Sequence, residues 1–382
     1  MRHALRAGRV FDGTQMHDGA VVVIEDGTVA ALIPANGPLP ADLTPVELGP
    51  GVLAPGMVDL QVNGGDGVML GAGADVAMIA RICAAHARLG ATAILPTLIT
   101  DTPAVTAQVI AAGLAAARAQ VPGFAGLHLE GPHLDPARKG AHDPALIRPM
   151  TEADLTRLEH AARAMPALMI TLAPEAVTPA QMAHLTDAGA VVSLGHSDCS
   201  APAAHAAQAA GARAVTHLFN AMSQMQNRAP GLVGAALASD LCAGIIADGV
   251  HVADDCLRVA LRMMAPDRLF LVSDAMAVAG TDLAGFTLNG RRVLRRDGQL
   301  TLEDGTLAGA DISLPQAVAH LVALGCALPQ ALAMASAIPA ALIGAGDRLG
   351  RIAPGLPADL VFLDSAPSLR KVWKSGDQII PL

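Results

Sequence analysis

The sequence predicts an α/β protein: a (β/α)8, TIM-like barrel joined to a small β-sandwich domain made from both chain termini. Three observations predict it. Short apolar runs rich in Val, Ile and Leu recur eight times through the middle of the chain. Ala-rich stretches with helical periodicity separate most of them. Turn-and-strand patterns occupy both ends. Eight strand–helix units in series fit a closed ring better than the alternative, a doubly wound open sheet, and such barrels take about 250 residues. The expected division is residues 1–50 with 346–382 for the β domain and 51–345 for the barrel.

Taken in order, "RAGRVFDG", "GAVVVIEDGTVAALI" and "TPVELGPG" read as short strands, with Asp12-Gly13 and Asp26-Gly27 as turns. The barrel strands are expected at 56–62, 92–97, 125–130, 168–173, 190–196, 214–219, 243–248 and 268–274. Between them "ADVAMIARICAAHARLG", "TEADLTRLEHAARAM" and "ADDCLRVALRMMA" carry apolar residues at helical spacing. "GRIAPGLPADLVFLD" and "KVWKSGDQI" return to turn and strand.

Composition narrows the function. A formal net charge of −9 argues against nucleic acid or an anionic membrane as partner. The five cysteines are scattered, with no CxxC, and read as reduced thiols of a cytoplasmic protein. "MRHALRAGRVFDG" lacks the uninterrupted apolar run of a signal peptide, and the acids within "AVVVIEDGTVAALI" rule out a membrane span.

In a barrel of this kind the active site lies at the C-terminal ends of the strands. Glu130 ends the third expected strand and His196 the fifth; His217 is near the end of the sixth, His251 follows the seventh, and Asp274 ends the eighth. A lone strand-end histidine is more often structural than catalytic. Five residues of ligand or acid–base type at the same level of successive units are not so easily explained. Glu130, His196 and His217 form a three-ligand set for Zn2+ or a similar ion, leaving a fourth position for water. Asp274 is the general base beside that water. His128 shares strand parity with Glu130, so it is either a residue orienting a ligand or a buried, hydrogen-bonded histidine. The Gly-rich "VNGGDG" lacks dinucleotide-binding spacing.

"APGMVDLQVNG", "GLHLEGPHLDPARKGAH", "SLGHSD", "THLFNAM", "APGLVG", "ADGVHV", "LVSDAM", "TLAGADIS" and "GRIAPGLPADLVFLD" follow one another along most of the chain. In this order they resemble the N-acetylglucosamine-6-phosphate deacetylase family of the metal-dependent amidohydrolases. "HLEGPHLDPARKGAH" and "THLFNAM" are the most specific. The resemblance implies hydrolysis of N-acetylglucosamine 6-phosphate to glucosamine 6-phosphate and acetate. It implies Glu130, His196 and His217 as metal ligands, Asp274 as acid and base, and His142 as a group polarising the amide carbonyl. It also implies phosphate contacts from His251 and from Arg228, the latter reaching across a homodimer interface. Substrate-binding stretches are implied at Asn220-Ala221 and Leu307-Ala308-Gly309, partly through backbone groups.

One departure from the wider superfamily bears on the metal. Where many members carry His-x-His after the first strand, this chain has Gln61 and Asn63, which are counted here with the substrate-contacting residues. Amides are poor ligands for a borderline divalent ion. One ion per subunit is therefore expected, Zn2+ first, with Fe2+, Co2+ or Mn2+ as alternatives. The rival readings are an N-acetylgalactosamine-6-phosphate deacetylase, which differs in the orientation of one hydroxyl, and a non-catalytic sugar-phosphate binder, which would be expected to lack the ligands or Asp274. A two-metal ring-opening hydrolase is disfavoured by the missing histidine pair and bridging lysine.

Overall fold

Residues 2–381 are described by a computed structural model. Its centre is a ring of eight parallel strands: β1 (Met57–Val62), β2 (Ala91–Ile99), β3 (Leu127–Glu130), β4 (Leu168–Leu172), β5 (Val191–Leu194), β6 (Ala214–Val215), β7 (Cys242–Ile245) and β8 (Leu269–Leu271). Each pairs with the next, and a parallel bridge from Val62 to Ala275 joins the two ends of the series. All eight expected strands are present, several of them ending short of their functional residue. His196, His217 and Asp274 lie two or three residues beyond their strands, each at positive φ (48°, 32° and 48°). That left-handed backbone is costly for a side chain larger than Gly and turns these residues off the strand direction over the barrel mouth.

A helix follows each strand. These are α1 (Val76–Arg88), α2 (Pro103–Arg118), α3 (Glu152–Ala164), α4 (Pro179–Asp187), α5 (Ala201–Ala209), α6 (Gly231–Ala238), α7 (Asp254–Met263) and α8 (Leu314–Ala323). Most start at a side-chain cap: Asp75, Thr102, Thr151, Thr178 and Ser200 each accept from a backbone N–H in the first turn. Thr151 with Asp154 and Thr178 with Gln181 complete reciprocal capping boxes. Two further helices follow, α9 (Leu328–Met334) and α10 (Ala337–Leu342). Ala340 and Leu342 of α10 pack with Leu60, Leu95, Met169, Val191, Ala214 and Phe270, a cluster drawn from strands around the ring, and seal its N-terminal end. Among the described residues no helix is long and apolar enough to cross a membrane.

The chain ends build two sheets. One has the order 28–33, 21–25, 2–6, 46–47; the other has the order 377–379, 369–374, 360–364, 51–55, 9–11, 16–18. Leu5, Val10, Val22, Ile24, Leu53, Leu360, Phe362 and Trp373 form the core they share. The strand Gly51–Pro55 belongs to the second of these sheets and runs almost directly into β1. A further four-stranded antiparallel sheet, absent from the sequence expectations, covers residues 285–310 between β8 and α8. Its last strand bridges to Ala275, and the Asp274 carbonyl accepts from the Ala310 N–H at 3.0 Å. The sheet is thereby tied to the barrel mouth.

Candidate metal centre

Glu130, at the end of β3, is buried and aims its carboxylate at the barrel axis. Its Oε1 is 3.0 Å from His217 Nε2 and 3.2 Å from His196 Nε2, and the two histidine nitrogens are 3.1 Å apart. A tetrahedral ion about 2.1 Å from each donor would set these edges at roughly 3.4 Å, close to what is found. The protonation pattern also fits. His196 Nδ1 lies 2.9 Å from the Arg138 carbonyl, which can only accept, so the proton sits on Nδ1 and Nε2 keeps its lone pair. Lone pairs of a carboxylate and a histidine thus converge with a second histidine in a buried space, an arrangement suited to a cation. His142 approaches from the side, its Nε2 3.9 Å from Glu130 Oε2, and Glu130, His142 and His196 also place ligand atoms within 4.8 Å of one another. The tighter triangle is Glu130, His196 and His217. His217 Nδ1 is buried with no partner in the protein.

The two amides expected near the site attach to its carboxylates. Gln61 Nε2 donates to Glu130 Oε1 at 3.0 Å, and Asn63 Nδ2 donates to Asp274 Oδ1 at 2.7 Å. Burial, with help from the Glu130 charge, pushes the Asp274 carboxyl up to about 6, against the Asn63 hydrogen bond that favours its charged form. Burial likewise holds His142 down at about 3, so its imidazole is neutral at physiological pH. For His217, burial lowers the pKa, but the adjacent Glu130 carboxylate outweighs it and leaves the ring above its ordinary value.

A cavity of about 410 Å³ opens over these groups. Asn63, Glu130, His142, His196, His217, Asn220, Ala221, His251, Asp274, Leu307 and Gly309 line it, so eleven of the residues expected from the sequence meet at one place. His251 Nδ1 is held 2.6 Å from Asp248 Oδ2. Three expected residues stand apart. Gln61 lies behind Glu130, engaged as above. Ala308 alternates to the other face of its strand and buries its methyl among Met276, Val293 and Leu300, leaving only its backbone for a ligand. Arg228 is exposed on the loop after β6 and does not line the cavity of its own chain. His128 is buried and hydrogen-bonded, with Nε2 2.7 Å from Thr171 Oγ1, which is the structural one of its two readings. Sequence reasoning missed Asp248 and Thr100. Thr100 Oγ1 sits 2.7 Å from His142 Nδ1.

A larger cavity, about 810 Å³, lies behind Ala275 and Ala310, between the 285–310 sheet and α8. Its Arg295 and Asp311 are paired with each other at 2.7 Å, and among the described residues no metal-ligand cluster faces it. The cluster of ligand-type and titratable side chains lies in the smaller cavity.

The sequence profile of the amidohydrolase family matches residues 52–380. An N-acetylgalactosamine-6-phosphate deacetylase of Shewanella sp. (strain ANA-3) is 37% identical, covering 97% of this chain and 94% of its own. The N-acetylglucosamine-6-phosphate deacetylase of Pasteurella multocida superposes with a TM-score of 0.94 at 31% identity, over 99% of this chain and 100% of that one. The Mycobacterium smegmatis enzyme of the same name, a D267A mutant in complex with N-acetyl-D-glucosamine 6-phosphate, gives 0.91 at 31% identity, over 99% of each chain. With a profile match over most of its length and a cluster of metal-ligating side chains at the ends of its barrel strands, the chain belongs to the amidohydrolase family.

Proposed function

We propose that the protein hydrolyses the N-acetyl group of N-acetylglucosamine 6-phosphate, giving glucosamine 6-phosphate and acetate. The observation that carries this reading is one cavity holding a Glu–His–His cluster, a carboxyl of raised pKa and a neutral histidine. Relatives and structural neighbours of that activity span nearly the whole chain.

Glu130, His196 and His217 would hold one divalent ion, Zn2+ first. When bound, such an ion supplies Lewis acidity and makes water nucleophilic near neutral pH. Asp274 takes the proton as the water oxygen attacks the acetyl carbon. His142 donates a hydrogen bond to the carbonyl oxygen as negative charge gathers there. When the C–N bond breaks, Asp274 returns its proton to the leaving amine nitrogen. Asn63 holds the Asp274 carboxylate in place through its 2.7 Å bond. His251 is assigned to the phosphate and keeps Nε2 available because Nδ1 is bound to Asp248, and Asn220 is assigned to the substrate more generally. Five unpaired cysteines suit a reducing cytoplasm, where we place the protein.

Gln61 and Asn63 donate to carboxylates and offer no imidazole, so about one tightly bound divalent ion per chain is expected. Elemental analysis finding two tight ions per active chain would overturn this. Arg228 is assigned to the phosphate of the partner subunit in a homodimer, a reading supported by its exposure and its absence from its own cavity. Arg228→Ala should raise KM for the phosphorylated substrate and leave the poor activity on N-acetylglucosamine nearly unchanged. Mixing it with Asp274→Asn chains should restore activity in hybrid dimers; mixed dimers that stay inactive despite proven subunit exchange would reject action across the interface.

The Shewanella relative favours a second reading, the galacto epimer as substrate. Acetate release from both 6-phosphates and from the unphosphorylated sugar, with and without chelator, decides between them. The gluco 6-phosphate should be the better substrate and the chelator should abolish turnover. Preference for the galacto epimer would install the second reading, and release from neither would reject both.

A further inference from the structure

Two neighbouring histidines in the cavity meet opposite partners. The ring of His142 stands edge-on to that of His196, with centroids 4.4 Å apart. His196 Nδ1 faces a carbonyl, that of Arg138, at 2.9 Å. His142 Nδ1 faces a donor, the backbone N–H of Thr100 at 3.3 Å, with the Thr100 hydroxyl 2.7 Å away. A carbonyl can only accept and a backbone amide can only donate. The first therefore puts the ring proton on Nδ1 and frees the Nε2 lone pair. The second occupies the Nδ1 lone pair and leaves a neutral ring's one proton on Nε2. That Nε2–H points toward the cluster, 3.9 Å from Glu130 Oε2.

We propose that Thr100 is the positioning residue that fixes His142 as an Nε2–H donor, keeps it out of the metal's ligand set and reserves it for the substrate carbonyl. The last clause rests on the deacetylase reading; the tautomer does not. Distance alone would admit His142 as a ligand beside Glu130 and His196. A proton on Nε2 forbids it, because a ligating nitrogen must offer a lone pair. The setting of Thr100 suits this role. It is 1% exposed and directly follows β2, so its amide is fixed by the strand end and its hydroxyl sits on a short, buried side chain.

The test is a two-bond proton–nitrogen NMR spectrum of zinc-loaded, 15N-histidine-labelled protein, with the His142 signals identified by their loss in His142→Gln. His142 should be in the Nε2–H form and His196 in the Nδ1–H form. His142 protonated on Nδ1, or on both nitrogens, would overturn the assignment. As a second measurement, Thr100→Val should lower kcat about tenfold, less than the loss of an oxyanion donor outright, with KM and metal content unchanged. Thr100→Ser, which keeps the hydroxyl, should restore most of the rate. Valine keeps the backbone amide and removes only the hydroxyl, so wild-type kcat in a folded, metal-loaded Thr100→Val would overturn the part of the positioning assigned to the hydroxyl. The wild-type spectrum stands whether or not the valine variant folds. An Nε2–H His142 in a protein that releases no acetate from either epimer would uphold this assignment while rejecting the proposed function.

Discussion

Side chains that face the barrel lumen two residues apart on the same strand obey different rules. At the N-terminal level Leu95, Met169, Val191, Ala214 and Phe270 make an apolar floor closed by α10. One step up, two residues on from the first four of these, stand Thr97, Thr171, Ser193 and Thr216, all buried. Here the groups are joined by hydrogen bonds: His128 Nε2 to Thr171 Oγ1 at 2.7 Å, Thr171 to Thr216 at 2.6 Å, and Ser193 to Thr216 at 2.7 Å. Above them stand Glu130, His196, His217 and Asp274, the last three at positive φ. The floor is regular backbone filled by volume; the rim is strained backbone filled by chemistry. The hydroxyl layer between them pairs its own donors and acceptors, so a polar site can sit on an apolar core.

If that division holds, damage at the two levels should be separable. The largest effect is expected at the rim. Asp274→Asn keeps shape and removes the base, so kcat should fall by about 10²- to 10⁴-fold with metal content and melting temperature little changed. Near-normal turnover in the metal-loaded variant would break the comparison from above. At the floor, Phe270 is fully buried, and Phe270→Ala should cost about 3–5 kcal/mol of stability in chemical denaturation. The folded fraction should keep its activity; a proportionate loss of kcat would show that floor and rim are one unit.

The smallest effect concerns Asp59, on β1. Its carboxylate accepts from the Ser273 N–H at 3.2 Å and the Gln61 N–H at 3.2 Å, binding the first strand to the last across the closing seam. Burial lifts it from its ordinary 3.8 to about 7 despite those bonds. A raised acid favours the folded state when protonated. Its contribution is therefore complete below its ordinary value and lost as pH rises through about 7. Asp59→Asn should flatten the fall of melting temperature from about pH 4 to 7. Equal slopes in wild type and variant would mean that Asp59 is already ionised in the fold.

The sequence showed the barrel well because its strands are buried on both faces and read as continuous apolar runs. It showed the rim well because Glu130, His196, His217 and Asp274 each fall where such a run stops. The 285–310 sheet was not legible in the same way because its strands are half-exposed and arginine-rich, as in "RRVLRR". Yet Asn289-Gly290, Asp297-Gly298 and Asp304-Gly305 mark three turns in succession, and Asn289 and Asp297 do adopt positive φ. Those turns are the signal by which the sheet could have been found. The partners that set the histidine tautomers left no signal at all. One is a backbone carbonyl and the other the amide and hydroxyl of a threonine, a residue type too common on buried strands to stand out.

The strand Gly51–Pro55 has a further consequence, in time. Its antiparallel partner is Leu360–Asp364, with Pro55 opposite Leu360. Roughly 300 residues separate the two, and synthesis adds about 5–20 residues per second. An apolar strand that leads straight into the first stave of the barrel must therefore wait on the order of tens of seconds for its neighbour, one edge open to other chains. The barrel can close around its lumen during that interval; the sheet beside it cannot be completed until nearly all of this sequence has been made.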